Sequence, residues 1–199
     1  MWWLFGRTAA TILLKVKVTG TENIPPHGQY PLLIVANHFS YLDPFIIMAY
    51  LPTRFRSIAA IEMTKMPVLS HLLKVYDAIP IWRGQVDRKA LRAAGDELDR
   101  NGTIFLFPEG GIMPELQERV ARGEVIENVP NSKSRLSAQL ANPRPGAAFL
   151  ATNSDAYVLP VALIGTQAIE GNLGFPWRRT PVEIRIGEVF GPLTIDPAL

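Results

Sequence analysis

The 199-residue chain is 48% hydrophobic and carries a formal net charge of +2. This length suits one α/β domain with a full core and is short for two. The sequence contains no cysteine, which excludes disulfides, thiolate metal ligands and thiol nucleophiles and fits a reducing compartment. The small net charge does not indicate nucleic-acid binding, and no recognition motif of that class is visible, so we expect no nucleic-acid partner.

Residues 1–18 predict an N-terminal helix that lies in a membrane interface. Two adjacent tryptophans open an apolar stretch that Arg7 interrupts, so the stretch is too short and broken to span a bilayer. The apolar face of such a helix would carry Trp2, Phe5, Ala9, Ile12 and Val16. Arg7, Lys15 and Lys17 would meet lipid headgroups, which predicts peripheral attachment to a membrane surface. The alternative is an ordinary buried first helix.

Residues 19–199 predict the main domain. From the end of the N-terminal segment onwards, short apolar runs alternate with segments of helical periodicity. The runs that predict strands are residues 15–19, 32–36, 55–61, 78–82, 103–107, 157–164 and 182–189. The segments that predict helices are residues 44–51, 67–76, 88–100 and 146–152. Asp87 is the expected N-cap of the third helix. This alternation predicts an α/β fold: a single domain whose seven-stranded, partly parallel sheet is flanked by helices.

Residues 111–145 differ from their surroundings, because they are rich in charged and amide side chains and poor in large apolar ones. They predict an inserted excursion with one short helix near residues 115–122. Such a segment is either a solvated surface loop or a lid or docking element beside the turn that contains Glu109.

The candidate chemistry begins where the second strand ends, at Asn37-His38-Phe39-Ser40-Tyr41-Leu42-Asp43. A neutral imidazole beside a carboxylate can take a proton from a hydroxyl, while the carboxylate fixes the tautomer and stabilises the imidazolium. We therefore consider His38 a general base and Asp43 its orienting partner. Alternatively, Asp43 caps the helix that Pro44 begins and His38 is a turn residue, although both roles can coexist.

Two further turns close apolar runs in the same way. Arg83 follows the fourth predicted strand, and Glu109-Gly110 follows the fifth. Strand ends of a parallel sheet share an edge, so these residues and His38 predict one site. The sequence has no G-x-S-x-G elbow for a covalent nucleophile, and its three histidines lack metal-ligand spacing, so we expect direct attack by a hydroxyl and no metal.

Four motifs in this order resemble those of the glycerolipid acyltransferases, the PlsC-like family of glycerol-3-phosphate and lysophosphatidate acyltransferases. They are Asn37-His38-x-Ser40-x-x-Asp43, Ile79-Pro80-Ile81-x-Arg83, Phe107-Pro108-Glu109-Gly110 and Val158-Leu159-Pro160-Val161-Ala162. The resemblance spans residues 19–189. It implies a glycerol-3-phosphate acyltransferase-like fold and transfer of a fatty acyl group from acyl-CoA or acyl-carrier protein to a lysophospholipid hydroxyl at a membrane surface, without a cofactor.

The resemblance also implies roles for individual residues. His38 would be the general base, Asp43 its partner, and Arg83 the ligand of the acceptor phosphate, for which a guanidinium is well suited. Glu109 would organise the acceptor side, and backbone amides near Gly110 would face the developing oxyanion. The remaining assignments are substrate binding for Asn37 and Ser40 and the acyl-pocket wall for Pro160. Their ordinary structural alternatives are a surface salt bridge for Arg83, turn formation for Glu109-Gly110 and a strand end for Pro160.

One departure concerns the third motif. Family members commonly continue it with Thr-Arg-Ser, which supplies a second phosphate ligand, whereas this chain has Gly111-Ile112-Met113. Arg144, just before Pro145-Gly146-Ala147, resembles the basic residue that precedes a Gly-Ala helix start in the family. It is a candidate for the missing charge and equally a plain loop arginine. A thioester hydrolase and a non-catalytic membrane lipid-binding protein are the alternative functions.

Overall fold

A seven-stranded sheet runs through the computed structural model, which describes residues 14–65, 67–82, 86–110, 143–169 and 179–193. The strands, β1 to β7, are Leu14–Thr19, Leu32–Ala36, Arg56–Ala60, Ile79–Ile81, Thr103–Leu106, Tyr157–Ile164 and Thr180–Ile186. Their order across the sheet is β1-β7-β6-β2-β5-β3-β4. Neighbours are parallel except β6 and β7, which are antiparallel. The predicted α/β fold with a partly parallel seven-stranded sheet is confirmed.

Four α-helices lie among the described residues. They are α1 (Asp43–Tyr50), α2 (Pro67–Val75), α3 (Arg88–Leu98) and α4 (Pro145–Asn153). Short 3₁₀ turns lie at Thr21–Asn23, Ile61–Lys65 and Thr166–Ala168. Among the described residues, no helix has the length and hydrophobicity of a transmembrane span.

The core lies on both faces of the sheet. Along β2, Leu32 and Ile34 join one apolar cluster, whereas Leu33 between them joins the other. Helix α1 covers the first face, and α3 and α4 cover the second. Strands buried on both faces read as continuous apolar runs, which is why residues 32–36 and 103–106 were recognisable in the sequence.

The predicted strand over residues 15–19 is confirmed, and the predicted interfacial helix over residues 1–18 is therefore wrong at its C-terminal end. Residues 14–18 belong to β1, which pairs in parallel with β7 from Leu14↔Thr180 onwards. Leu14 is buried, whereas Lys15 and Lys17 are exposed. Alternation with a period of two and β-branched Val16 and Val18 favour a strand here, and the open edge of β7 provides the partner. The remainder of that prediction, residues 1–13, lies outside the described residues.

Helix α3 begins as predicted, with Asp87 as its N-cap. The Asp87 carboxylate accepts a hydrogen bond from the N–H of Ala90 at 3.0 Å. Ala90, Ala94 and Leu98 are buried against the sheet. This helix packs on the sheet face away from α1.

The central strands determine where the site lies. Strands β2 and β5 are parallel neighbours in register, with Val35 opposite Leu106. The segments that leave them, beginning at Asn37 and Phe107, therefore emerge side by side at the carboxyl edge of the sheet. In open sheets with parallel strands this edge is where ligands bind.

Candidate active site

His38 and Asp43 meet as the sequence predicts. The Nδ1 atom of His38 lies 3.0 Å from Oδ2 of Asp43, and the two residues are only 8% and 0% exposed. Because a carboxylate only accepts, Nδ1 carries the hydrogen and the lone pair resides on Nε2. The pair can therefore act as a general base through Nε2, and Asp43 can stabilise the imidazolium that forms.

The alternative role of Asp43 as an N-cap is wrong. Helix α1 already includes Asp43, and its N-cap position is Leu42, which makes no side-chain cap. The carboxylate instead turns back, and Oδ2 accepts the N–H groups of Phe39 at 2.6 Å and Ser40 at 2.7 Å. Asp43 thus closes the turn that contains His38 and also orients its ring.

The third motif supports the base from a neighbouring strand. Residues 107–110 form a turn in which the N–H of Gly110 donates to the Phe107 carbonyl at 3.1 Å. This turn places Glu109, which is 4% exposed, so that Oε1 accepts the N–H of His38 at 3.2 Å. The predicted acceptor-side role of Glu109 stays a prediction, and the contact that the structure shows is one that holds the histidine backbone.

Phe107 provides a contact that the sequence did not reveal. Its ring stacks on the His38 imidazole, with centroids 4.1 Å apart and planes 17° from parallel. Edge-on contact with Phe105, at 4.9 Å, fixes the Phe107 ring in turn. The only signal in the sequence was an aromatic residue at a strand end beside the Glu109 turn. The imidazole is thus held by Asp43 at its edge and by Phe107 on its face.

Asn37 joins this edge to strand β6. Its Nδ2 donates to the Leu163 carbonyl at 2.8 Å, and its Oδ1 accepts the Leu163 N–H at 2.7 Å. Both ends of the amide are thereby bound to one backbone residue. Ser40 is fully buried, and its hydroxyl accepts the Leu42 N–H at 3.2 Å. Substrate binding by Asn37 and Ser40 stays a prediction, whereas their observed contacts shape the turn.

Pro160 occupies a central strand, where proline removes a ladder hydrogen bond. It pairs with Val35 of β2, and its carbonyl accepts the N–H of Gly187 on the opposite side at 2.8 Å. In a strand, the N–H and C=O of one residue point to the same side. The N–H that proline lacks would therefore point away from β2, toward residues just beyond the end of β7. Pro160 is half-buried. Its role as a wall of the acyl pocket stays a prediction.

Two predicted parts of the site fall partly or wholly outside the described residues. They are Arg83 and most of the inserted excursion, of which only residues 143–145 are described. The segment that carries Arg83 is bounded by Trp82, whose N–H donates to Asp87 Oδ2 at 3.1 Å. Hydrogen bonds from Ala90 and then Trp82 hold the pKa of Asp87 below its ordinary value. Asp87 therefore ties the end of β4 to the start of α3.

No group of three or more potential metal ligands is found within the described ranges. An open cleft of about 1030 Å³ lies at the opposite ends of the strands, where β3 and β5 begin. It is lined by residues such as Met48, Phe55, Tyr76 and Thr103. Thr103 begins β5, whereas the Glu109 turn follows its end, so this cleft is separate from His38. The candidate active site is the group at the carboxyl edge.

A family model described as Acyltransferase matches residues 15–164. The chain belongs to the acyltransferase family. The matched region runs from β1 to the last residue of β6 and so contains His38, Asp43, Glu109 and Arg144. The family resemblance of the four motifs is confirmed.

Individual acyltransferases share parts of this chain. A chloroplastic 1-acyl-sn-glycerol-3-phosphate acyltransferase of Arabidopsis thaliana is 24% identical over 159 residues, which cover 78% of this chain and 37% of that protein. A 1-acyl-sn-glycerol-3-phosphate acyltransferase of Helicobacter pylori is 32% identical over 108 residues, covering 52% and 45%. A lyso-ornithine lipid O-acyltransferase of Pseudomonas aeruginosa is 31% identical over 110 residues, covering 55% and 40%.

The acyltransferase fold is also found in a solved structure. The crystal structure of PlsC, the 1-acyl-sn-glycerophosphate acyltransferase of Thermotoga maritima, matches with a TM-score of 0.63 and 28% identity, covering 96% of this chain and 67% of that one. The chain spans less than half the length of the three curated relatives named above.

Proposed function

We propose that this acyltransferase-family protein moves a fatty acyl group from acyl-CoA or acyl-carrier protein to a hydroxyl of lysophosphatidate or a related lysophospholipid. The observation that carries the proposal is the buried His38–Asp43 pair, with Nδ1 and Oδ2 3.0 Å apart, at the carboxyl edge of the sheet. The names of the Arabidopsis and Helicobacter relatives support lysophosphatidate as the acceptor.

The reaction follows from the tautomer of His38. As the acceptor hydroxyl oxygen attacks the thioester carbonyl, Nε2 of His38 takes the hydroxyl proton and an oxyanion forms on the carbonyl oxygen. When this intermediate collapses, the new C–O bond remains, the C–S bond breaks, and the thiolate takes the proton from the imidazolium. Asp43 stabilises the imidazolium between these two proton transfers. No cofactor takes part beyond the thioester substrate.

The surrounding residues have supporting roles in this proposal. Glu109 and Phe107 hold the histidine backbone and ring, so Nε2 keeps one direction. Arg83 would bind the acceptor phosphate, and the acyl chain would lie along the Pro160 wall. The N–H of Gly110 is bound to the Phe107 carbonyl, so it is not the oxyanion donor in this arrangement.

Measurement of thioester loss tests the proposal. Palmitoyl-CoA and a palmitoylated carrier protein are supplied with lysophosphatidate, with other lysolipids and without acceptor. The wild type is compared with His38→Ala and with the matched control His27→Ala, because His27 is an exposed histidine in the separate cleft. We expect acceptor-dependent thioester loss in the wild type and in His27→Ala, and none in His38→Ala.

The other outcomes identify the alternatives. Thioester loss that needs His38 but no acceptor would mean a hydrolase, in which His38 activates water. Lipid binding without loss of either thioester would mean a non-catalytic lipid-binding protein. Full activity in His38→Ala would contradict the general-base role.

We also propose peripheral attachment to the cytoplasmic face of the membrane through residues 1–13. The support is the sequence alone, in which Trp2, Trp3 and Phe5 provide the interfacial side chains. A deletion of residues 1–12 leaves β1 intact, and a Trp2→Ala, Trp3→Ala double variant is the finer change. Sedimentation with vesicles that contain anionic lipid should fall in both, and unchanged sedimentation would favour a buried segment.

A further inference from the structure

The side chain of Arg144 packs against the backbone of Gly110, beside the His38 site. Gly110 has a φ of +78°, a conformation that suits glycine, and it follows directly after Glu109. A methyl group added at Gly110 would collide with Nε and Cδ of Arg144. The arginine side chain therefore lies directly over the bare backbone of the glycine.

The backbone of Arg144 is fixed independently. Its N–H donates to the Pro108 carbonyl at 2.8 Å, which ties it to the turn that carries Glu109. Arg144 is also the N-cap position of α4, with φ and ψ of −81° and 149°. Pro145 follows it, and a residue before proline is restricted to this extended conformation. The arginine thus begins from a constrained position and crosses Gly110.

Arg144 forms no ion pair within the described part of the chain. Its Nε is buried without a hydrogen-bond partner there. A buried guanidinium N–H is unfavourable when it is unpaired. The nearby Glu109 carboxylate accepts from the His38 backbone instead. An anion brought by a substrate would supply the missing acceptor.

We propose that Arg144, seated on Gly110, binds the anionic headgroup of the acyl acceptor. This inference rests on the proposed acyl transfer and names the residue that selects the acceptor. A guanidinium fork suits a phosphate monoester, as in lysophosphatidate, and equally a carboxylate, as in a lyso-ornithine lipid. Gly110 acts as a positioning residue, because any side chain there displaces the arginine.

Steady-state kinetics with two kinds of acceptor tests this assignment. The variants are Arg144→Ala, Arg144→Lys and Gly110→Ala, with the exposed Arg54→Ala as the matched control. In Arg144→Ala we expect the KM for lysophosphatidate to rise roughly 10- to 100-fold, the range of a hydrogen bond to a charged group. The KM for the thioester and the KM for uncharged monoacylglycerol should rise by a much smaller factor than the KM for lysophosphatidate. Arg144→Lys should restore part of the loss.

A double variant tests whether Gly110 works through Arg144. If it does, Gly110→Ala raises the acceptor KM in the wild type and has little further effect in the Arg144→Ala background. Independent, multiplying effects would overturn the positioning role. If Gly110→Ala does not fold, Gly110→Asn carries the same comparison, because asparagine tolerates a positive φ while its Cβ still displaces the Arg144 side chain.

Adding lyso-ornithine lipid to the acceptors distinguishes a phosphate ligand from a carboxylate ligand. The same measurements also distinguish failure of the Arg144 assignment from failure of the proposed function. A preference for lyso-ornithine lipid with the same Arg144 dependence would identify a carboxylate ligand, and a preference for lysophosphatidate would identify a phosphate. Transfer that occurs with equal acceptor and donor effects in Arg144→Ala would overturn the Arg144 assignment alone. Absence of transfer to every acceptor in the wild type would overturn the proposed function. Binding of lysophosphatidate without donor, measured by calorimetry on the same variants, would then test Arg144 separately.

Discussion

The backbone N–H of His38 donates to the side chain of Glu109, 71 positions later in the chain, at 3.2 Å. This bond joins the turns that follow β2 and β5, and both of its atoms are buried. The first and third motifs are therefore one structural unit, in which the Glu109 carboxylate, after β5, fixes the backbone of His38, after β2.

Two replacements of Glu109 should distinguish the contribution of its hydrogen bond to stability from the contribution of its charge. Glu109→Ala leaves the buried His38 N–H without its acceptor and should lower the free energy of unfolding by about 1–3 kcal/mol. Glu109→Gln keeps an acceptor oxygen and should lose less. Urea denaturation measures both values. Equal losses in the two variants would show that the charge of Glu109, and not the bond to His38, is what stabilises the turn.

Replacement of Asp43 should affect catalysis more than folding if its substitute can still accept hydrogen bonds. Asp43→Asn keeps an oxygen for the Phe39 and Ser40 N–H groups but does not stabilise an imidazolium. We expect kcat to fall by about 10²- to 10⁴-fold, the usual contribution of general-base catalysis. Asp43→Ala removes the acceptor of several buried donors and should also lower the melting temperature. Wild-type kcat in a folded Asp43→Asn variant would contradict the assignment.

Asn37 has two possible roles that stability measurements can separate. Asn37→Ala breaks both hydrogen bonds to Leu163 and leaves that N–H unpaired, so unfolding should become easier by about 1–3 kcal/mol. Asn37→Asp keeps the acceptor for the Leu163 N–H but turns a carboxylate oxygen toward the Leu163 carbonyl, so it should also be destabilised. A raised acceptor KM with unchanged unfolding would instead support direct substrate binding.

Asp87 should make stability depend on pH in a defined direction. Its pKa in the folded protein is lowered from the ordinary 3.8, mainly by the Ala90 and Trp82 N–H groups. The stabilisation is therefore present above pH 3.8 and is lost as the pH falls through the lower, folded value. Asp87→Ala should lower the melting temperature at pH 6, and its difference from wild type should shrink below pH 3.8. A constant difference down to pH 3 would contradict this linkage. Asp87→Asn, which can still cap Ala90, is the control.

Local sequence was sufficient for most of the fold. Residues 32–36 were predicted as a strand and are one, because an apolar run between turn residues is typical of a strand buried on both faces. At the chain's start two predictions overlap. The strand over residues 15–19 is confirmed, whereas the helix over residues 1–18 is wrong from Leu14 onwards, because this segment pairs with the distant strand β7. In residues 14–18 the alternation of apolar and charged side chains indicates a strand, but the same residues also continue the helical spacing of apolar side chains that begins at Trp2.

The candidate site was predicted less completely than the fold. The His38–Asp43 contact spans five positions and follows from their spacing. Asp43 accepts the N–H groups of Phe39 and Ser40, which precede it, and not those of its own helix. The local sequence allows both arrangements, and the geometry of the turn determines which one forms. The Asn37–Leu163 bonds span 126 positions and require β2 to lie beside β6. Strand order determines such contacts, and short motifs do not contain it.

The position of β2 in the middle of the sheet has a consequence for dynamics. Both of its edges are hydrogen-bonded, to β5 and β6, and both faces are buried. Amide protons of residues 32–36 should therefore exchange with deuterium only when the whole domain unfolds, and far later than those of the edge strands β1 and β4. His38 is thus attached to the slowest-opening part of the molecule, so motions that admit a ligand to it must take place in segments other than β2.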